Sequence, residues 1–157
     1  MNTDGAAKGA LGLVGGGGIF RHRSAAMLGC FPDYYGIESS FHAEVCMTLS
    51  ATEIAHNRGW RTLWLEYDFA LVMQAMSGKV RMPWKLTNKW RNCSLLIRDM
   101  NLKVTHIFRE WNSCVDSLAA FGVSSKSFTW WDLIPASIRQ DFFRDRLGLP
   151  NYRFNQW

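Results

Sequence analysis

ESSFHAEVCMTLSATEIAHNRG, residues 38–59, is the clearest helix in the chain. Ser39 or Ser40 offers a side-chain oxygen to the first free amides, and Gly59 stops the run. Phe41, Val45, Leu49 and Ala55 fall near one face, while Ile54 lies off it. Directly after it the period changes: RTLWLEYD (61–68) alternates as a strand does. Directly before it, two short apolar stretches around RHRS make residues 16–32 a hairpin. Further out, FALVMQAM is a short helix ending at Gly78, and residues 84–100 form another with Leu86, Trp90, Cys93 and Ile97 on one stripe. LKVTHIFRE (102–110) is a strand, and NSCVDSLAAFG a helix with Asn112 or Ser113 as cap and Gly122 as stop. With a first strand around Asp4, the order is strand, hairpin, then alternating helices and strands. That order predicts an α/β fold, a mixed sheet with helices packed on it.

The bulk numbers agree. A chain of 157 residues suits one domain with a core of ordinary size. Eighteen Lys and Arg against 13 Asp and Glu give +5 and a pI near 9.2. This balance favours an anionic partner such as nucleic acid, although many basic proteins bind none. The four cysteines (Cys30, Cys46, Cys93, Cys114) are far apart, which reads as reduced thiols and excludes a CxxC zinc site. No apolar run approaches the roughly 18 residues of a membrane span, and no secretory pattern opens the chain. A soluble, intracellular protein without a membrane partner is expected, as a monomer.

Two features call for chemistry or for close packing. Residues 5–18, GAAKGALGLVGGGG, hold seven glycines but no Gly-Lys-Ser/Thr ending, so a phosphate loop of the P-loop kind is excluded. They read as a loop entering a strand, with glycine allowing close approach to a neighbour or a ligand. Four acids stand where mixed sheets build sites: Asp4 on the first strand, Glu44 early in the long helix, Asp68 ending a strand, and Asp116 opening a helix. Each alone has an ordinary reading. Asp4 starts a turn, Glu44 is a solvated charge, Asp68 caps the next helix, and Asp116 completes a capping box with Ser113.

Taken together and in order, NTDGAAKG…GGGGIFR, ESSFHAEVCMTL, LWLEYDFALV and VTHIFREWNSCVDSLA resemble the ribonuclease H family over roughly residues 2–121. The version they are most similar to is reverse-transcriptase-associated, known from plant non-LTR retrotransposon remnants. The resemblance implies a five-stranded mixed sheet whose strands one to three are antiparallel, with strands four and five joined through helices. The Ser-rich VSSKS (123–127) marks the boundary between a domain at 1–122, whose first strand is short against the family with three residues before Asp4, and an aromatic-rich tail at 123–157.

The implied activity is endonucleolytic hydrolysis of the RNA strand of an RNA–DNA hybrid. Asp4, Glu44, Asp68 and Asp116 would be both catalytic residues and metal ligands. Two divalent ions about 4 Å apart can hold the attacking and leaving oxygens, and Mg²⁺, with Mn²⁺ as substitute, prefers such all-oxygen ligands. By the resemblance Asp4 bridges both ions, Asp68 and Glu44 serve one, and Asp116 the other. Gly5, Lys8 and Gly9 are candidates for bringing backbone to the RNA 2′-hydroxyls, and Lys85 and Lys89, at i,i+4, for the DNA phosphates. Many relatives carry a histidine between the last strand and the last Asp. Here Arg109 and Glu110 occupy that stretch, and His106 lies inside the strand. The rival readings are a catalytically inactive relic serving at most as a nucleic-acid-binding or interaction module, and a DNA-directed nuclease of the wider superfamily.

Overall fold

The computed structural model describes residues 2–7, 12–67, 70–106 and 113–147, with 2–7 and Tyr67 described by backbone course. Strands β1 (Asn2–Ala7), β2 (Gly12–Arg21) and β3 (Met27–Glu38) lead into α1 (Ser40–Asn57) and β4 (Thr62–Tyr67). Helices α2 (Ala70–Met76) and α3 (Thr87–Ile97), strand β5 (Asn101–His106), and helices α4 (Ser113–Ser125) and α5 (Arg139–Arg146) complete the order. The sheet order is β3-β2-β1-β4-β5. β1, β2 and β3 pair antiparallel, β4 and β5 pair parallel, and β1 joins β4 in parallel through Asn2–Glu66 and Thr3–Tyr67.

The hairpin extends further than the sequence suggests. Its turn closes through the His22 amide on the Ala26 carbonyl at 2.8 Å, and a bulge opposite Val14 and Gly15 sets Tyr35 out of register. Gly15 to Gly18 lie within β2, not in a loop before it. Their missing side chains let helices approach both faces. A Cβ at Gly16 would fall 2.6 Å from Met47 Sδ of α1, and one at Gly17 2.5 Å from the Val115 carbonyl oxygen of α4. Neighbouring strand residues face opposite sides, so α1 covers one face of the sheet and α4 the other.

Helix α1 starts as expected, with Ser39 Oγ accepting from the His42 amide at 3.2 Å. At its other end Gly59 has φ +74°, which glycine adopts without cost. Its burial is not a single stripe, since His42 through Thr52 are all buried. The outer side is covered by α3, whose Leu86-flanked face brings Trp90, Cys93 and Ile97 to the same core. Small and hydroxylated residues suit a helix enclosed in this way. The Thr48 and Thr52 hydroxyls donate to carbonyls one turn back, both at 2.9 Å, so neither is buried unsatisfied.

Helix α4 does not stop at Gly122 but runs to Ser125. Gly122 is inside it, where a Cβ would collide with the Asp33 backbone of β3. Beyond α4 the chain returns to the domain. Trp131 exchanges two 2.9 Å backbone hydrogen bonds with Cys30 on β3, and the Trp130 indole sits over Gly29. A short 3₁₀ turn, Ala136–Ile138, follows Pro135 and leads into α5. Ile138 and Phe142 then join Ile19, Cys30, Cys114, Val115 and Leu118 in a second core cluster on the α4 side of the sheet.

Candidate active site

The register of β1 against β2 organises the site. Asp4 is paired with Gly17 and Gly5 with Gly16. Gly17 is the residue on which the first turn of α4 rests, through the Val115 carbonyl, and Asp116 is the next residue along. Gly16 is the residue on which α1 rests, through Met47, one turn beyond Glu44. Two adjacent residue pairs of the central strands therefore seat, from opposite faces, the helical turns that carry Glu44 and Asp116. The close approach that glycine permits here is between helix and sheet.

Glu44 is 3% exposed and lies on the helix that packs against β1. Asp116 is half-buried in the first turn of α4. Asp68 lies outside the described residues; the last described β1–β4 pair, Thr3 with Tyr67, immediately precedes Asp4 and Asp68 in sequence. Lys8, Gly9, Arg109 and Glu110 also lie outside them. Among the described residues no three His, Cys, Asp or Glu side chains gather as a metal site. Of the four acids, only Glu44 and Asp116 have described side chains. The donor set itself suits a hard divalent cation, since all four candidates are carboxylates. The cysteines are buried in the two cores, where burial pushes Cys30, Cys46 and Cys93 up to about 11.

Lys85 is in a 3₁₀ turn ahead of α3, not on the helix proper, and its ammonium is 2.5 Å from Glu38 Oε1. That hydrogen bond holds the Glu38 carboxyl below its ordinary value. Lys89 on α3 donates to Ser50 Oγ of α1 at 2.9 Å. Trp84 beside them is 80% exposed, and Trp90 packs on the core.

Ser113, the residue whose capping box with Asp116 is the ordinary reading of that acid, is also bonded from outside its own helix. The Ser113 hydroxyl donates to Asp145 Oδ1 at 2.8 Å, and the Cys114 amide to Asp145 Oδ2 at 3.0 Å. One turn on, the Ser117 hydroxyl donates to Asp141 Oδ2 at 2.7 Å. Burial pushes the Asp145 carboxyl up, opposed by these donors and by the nearby Arg21. Neither aspartate is among the candidates read from the sequence. Their signal is the spacing Ile138, Asp141, Phe142, Asp145, one face of a helix.

The family model described as reverse transcriptase-like matches residues 2–122. The chain belongs to that family. An Arabidopsis thaliana protein named "Putative ribonuclease H protein" is 29% identical over 150 residues, 94% of this chain. The chain spans about a quarter of that relative's length, 24%. Among solved structures, RNase H1 from the halophilic archaeon Halobacterium salinarum superposes with a TM-score of 0.70 at 23% identity, covering 79% of this chain and 96% of that one. LC11-RNase H1 in complex with an RNA/DNA hybrid gives 0.69 at 23% identity, covering 80% and 96%. The fold is thus ribonuclease H-like and mixed α/β.

Proposed function

We propose that this domain hydrolyses the RNA strand of RNA–DNA hybrids, with Asp4, Glu44, Asp68 and Asp116 as its carboxylate set. The observation that carries this reading is the seating of the Glu44 and Asp116 turns on the two residue pairs at Asp4 and Gly5. Similarity to an RNase H1 solved with an RNA/DNA hybrid supports it. The four carboxylates would hold two Mg²⁺ or Mn²⁺ ions, which supply charge neutralisation at the phosphate and a water of lowered pKa. The chain's own part is positional. β1 and the starts of α1 and α4, the two helices seated on Gly16 and Gly17, would present Asp4, Glu44 and Asp116, and the end of β4 would present Asp68.

Lys85 and Lys89, with exposed Trp84, form the surface we assign to the DNA strand. A phosphate there competes with Glu38 for Lys85. Gly5, Lys8 and Gly9 are assigned to the RNA strand. We take residues 1–122 as the catalytic unit, with 123–157 as an appended segment.

The test is cleavage of a strand-labelled hybrid with Mg²⁺, alone, with EDTA, and with Asp68→Asn. RNA-only cleavage lost in both controls supports the reading. A folded chain no more active than Asp68→Asn, with Mn²⁺ as well, overturns it in favour of an inactive binding module. Cleavage of duplex DNA alone would point to a DNA-directed nuclease.

A further inference from the structure

Helix α5 turns one face to α4. Ile138 and Phe142 are each 2% exposed in the core shared with Cys114, Val115 and Leu118, while Arg139, Gln140, Phe143 and Arg144 point outward. On the same face Asp141 and Asp145 reach the first turns of α4. Asp145 occupies the place of an N-cap, accepting from a first-turn hydroxyl and a first-turn amide that would otherwise need water. Its negative charge also sits at the positive end of the α4 dipole. Arg21, at the end of β2, lies close by with its guanidinium 5.0 Å from the Phe142 ring centre. Among the described residues its Nε and one Nη are buried without a hydrogen-bond partner, and its charge acts on the Asp145 carboxyl, which it lowers.

The turn so held, Ser113 to Asp116, ends in a candidate metal ligand. We propose that Asp145, supported by Asp141, is a positioning residue for Asp116: the segment after α4 serves the active site by fixing the start of α4 from outside. This rests on the hybrid-cleavage reading above and deepens it. A tertiary cap has a consequence that a local one lacks, because loss of α5 docking releases the catalytic turn even when the sheet is intact.

The experiment compares the full chain with Asp145→Ala, Asp145→Asn and, as a control on the exposed side of α5, Gln140→Ala. Three quantities are read: amide hydrogen exchange at Cys114, the Mg²⁺ half-saturation, and kcat and KM on the hybrid. In Asp145→Ala, Cys114 exchange should accelerate about two- to thirtyfold, the range of a lost cap. kcat should fall by about tenfold or more at similar KM, as misplacement of a catalytic group predicts, with a higher Mg²⁺ requirement. Asp145→Asn keeps one acceptor oxygen and should fall between, and Gln140→Ala should match the parent. Unchanged Cys114 exchange, or unchanged kcat and Mg²⁺ half-saturation in a folded Asp145→Ala, overturns the proposal. If Asp145→Ala does not fold, Asp145→Asn decides by the same criteria. If the parent itself cleaves nothing, the hybrid-cleavage reading fails. Positioning is then read from the Mg²⁺ titration of the Asp116 amide resonance: weaker saturation in Asp145→Ala supports it and equal saturation overturns it.

Discussion

Gly17 shows how much one absent side chain can decide. It has an ordinary strand conformation, yet both the Val115 carbonyl and Leu118 Cβ would lie 2.5 Å from a Cβ placed there. Backbone cannot yield as a flexible side chain can, so Gly17→Ala must push α4 off the sheet. A loss of about 1–3 kcal/mol is expected, read as a lower urea midpoint. Because the displaced turn carries Asp116, hybrid cleavage should fall more steeply than stability does. The cysteines make a contrasting prediction. Burial holds Cys30, Cys46 and Cys93 near 11 and pushes Cys114 up as well, so the thiolate is scarce at pH 8. The native chain should release almost no thionitrobenzoate from a disulfide thiol reagent over minutes. All four thiols should react once guanidinium unfolds it.

At the scale of elements, α5 is a helix whose docking depends on few side chains. Phe142→Ala should cost about 3–5 kcal/mol, because the ring is fully enclosed between α4 and the Arg21 guanidinium. Phe143→Ala, on the exposed side, should change the urea midpoint little. Equal effects would mean that α5 is not held by this face. Helix α1 carries the opposite lesson. Its start at Ser39 and its stop at Gly59 were legible, because caps and left-handed stops are local chemistry. Its burial on nearly all sides was not, because that depends on α3 arriving from elsewhere in the chain. The end of α4 is not legible in the sequence for the same reason. Gly122 is a helix stop by local rules, but here it is the point of contact with the Asp33 backbone.

At the scale of the whole molecule, the net charge of +5 and the lysines near Trp84 are what the proposed function would use to hold a hybrid. Lys85→Ala removes one phosphate contact under the proposed function. The slope of log affinity against log salt should therefore drop by about 0.9. Its folding stability should hardly change, since the Lys85 side chain in the Glu38 pair it breaks is half exposed. An unchanged slope would place the DNA strand elsewhere. By itself the sequence determined the order of strands and helices, from the switch between periods of two and 3.6, and it singled out four acids by their places in that order. Periodicity and end signals are local, so they survive without a partner. Only the tertiary structure decided that the glycines of β2 seat two helices, that Lys85 leans on Glu38, and that the start of α4 is capped by Asp145. Each of these is a contact between residues far apart in the chain, and no local pattern encodes where a distant backbone or carboxylate will come to rest.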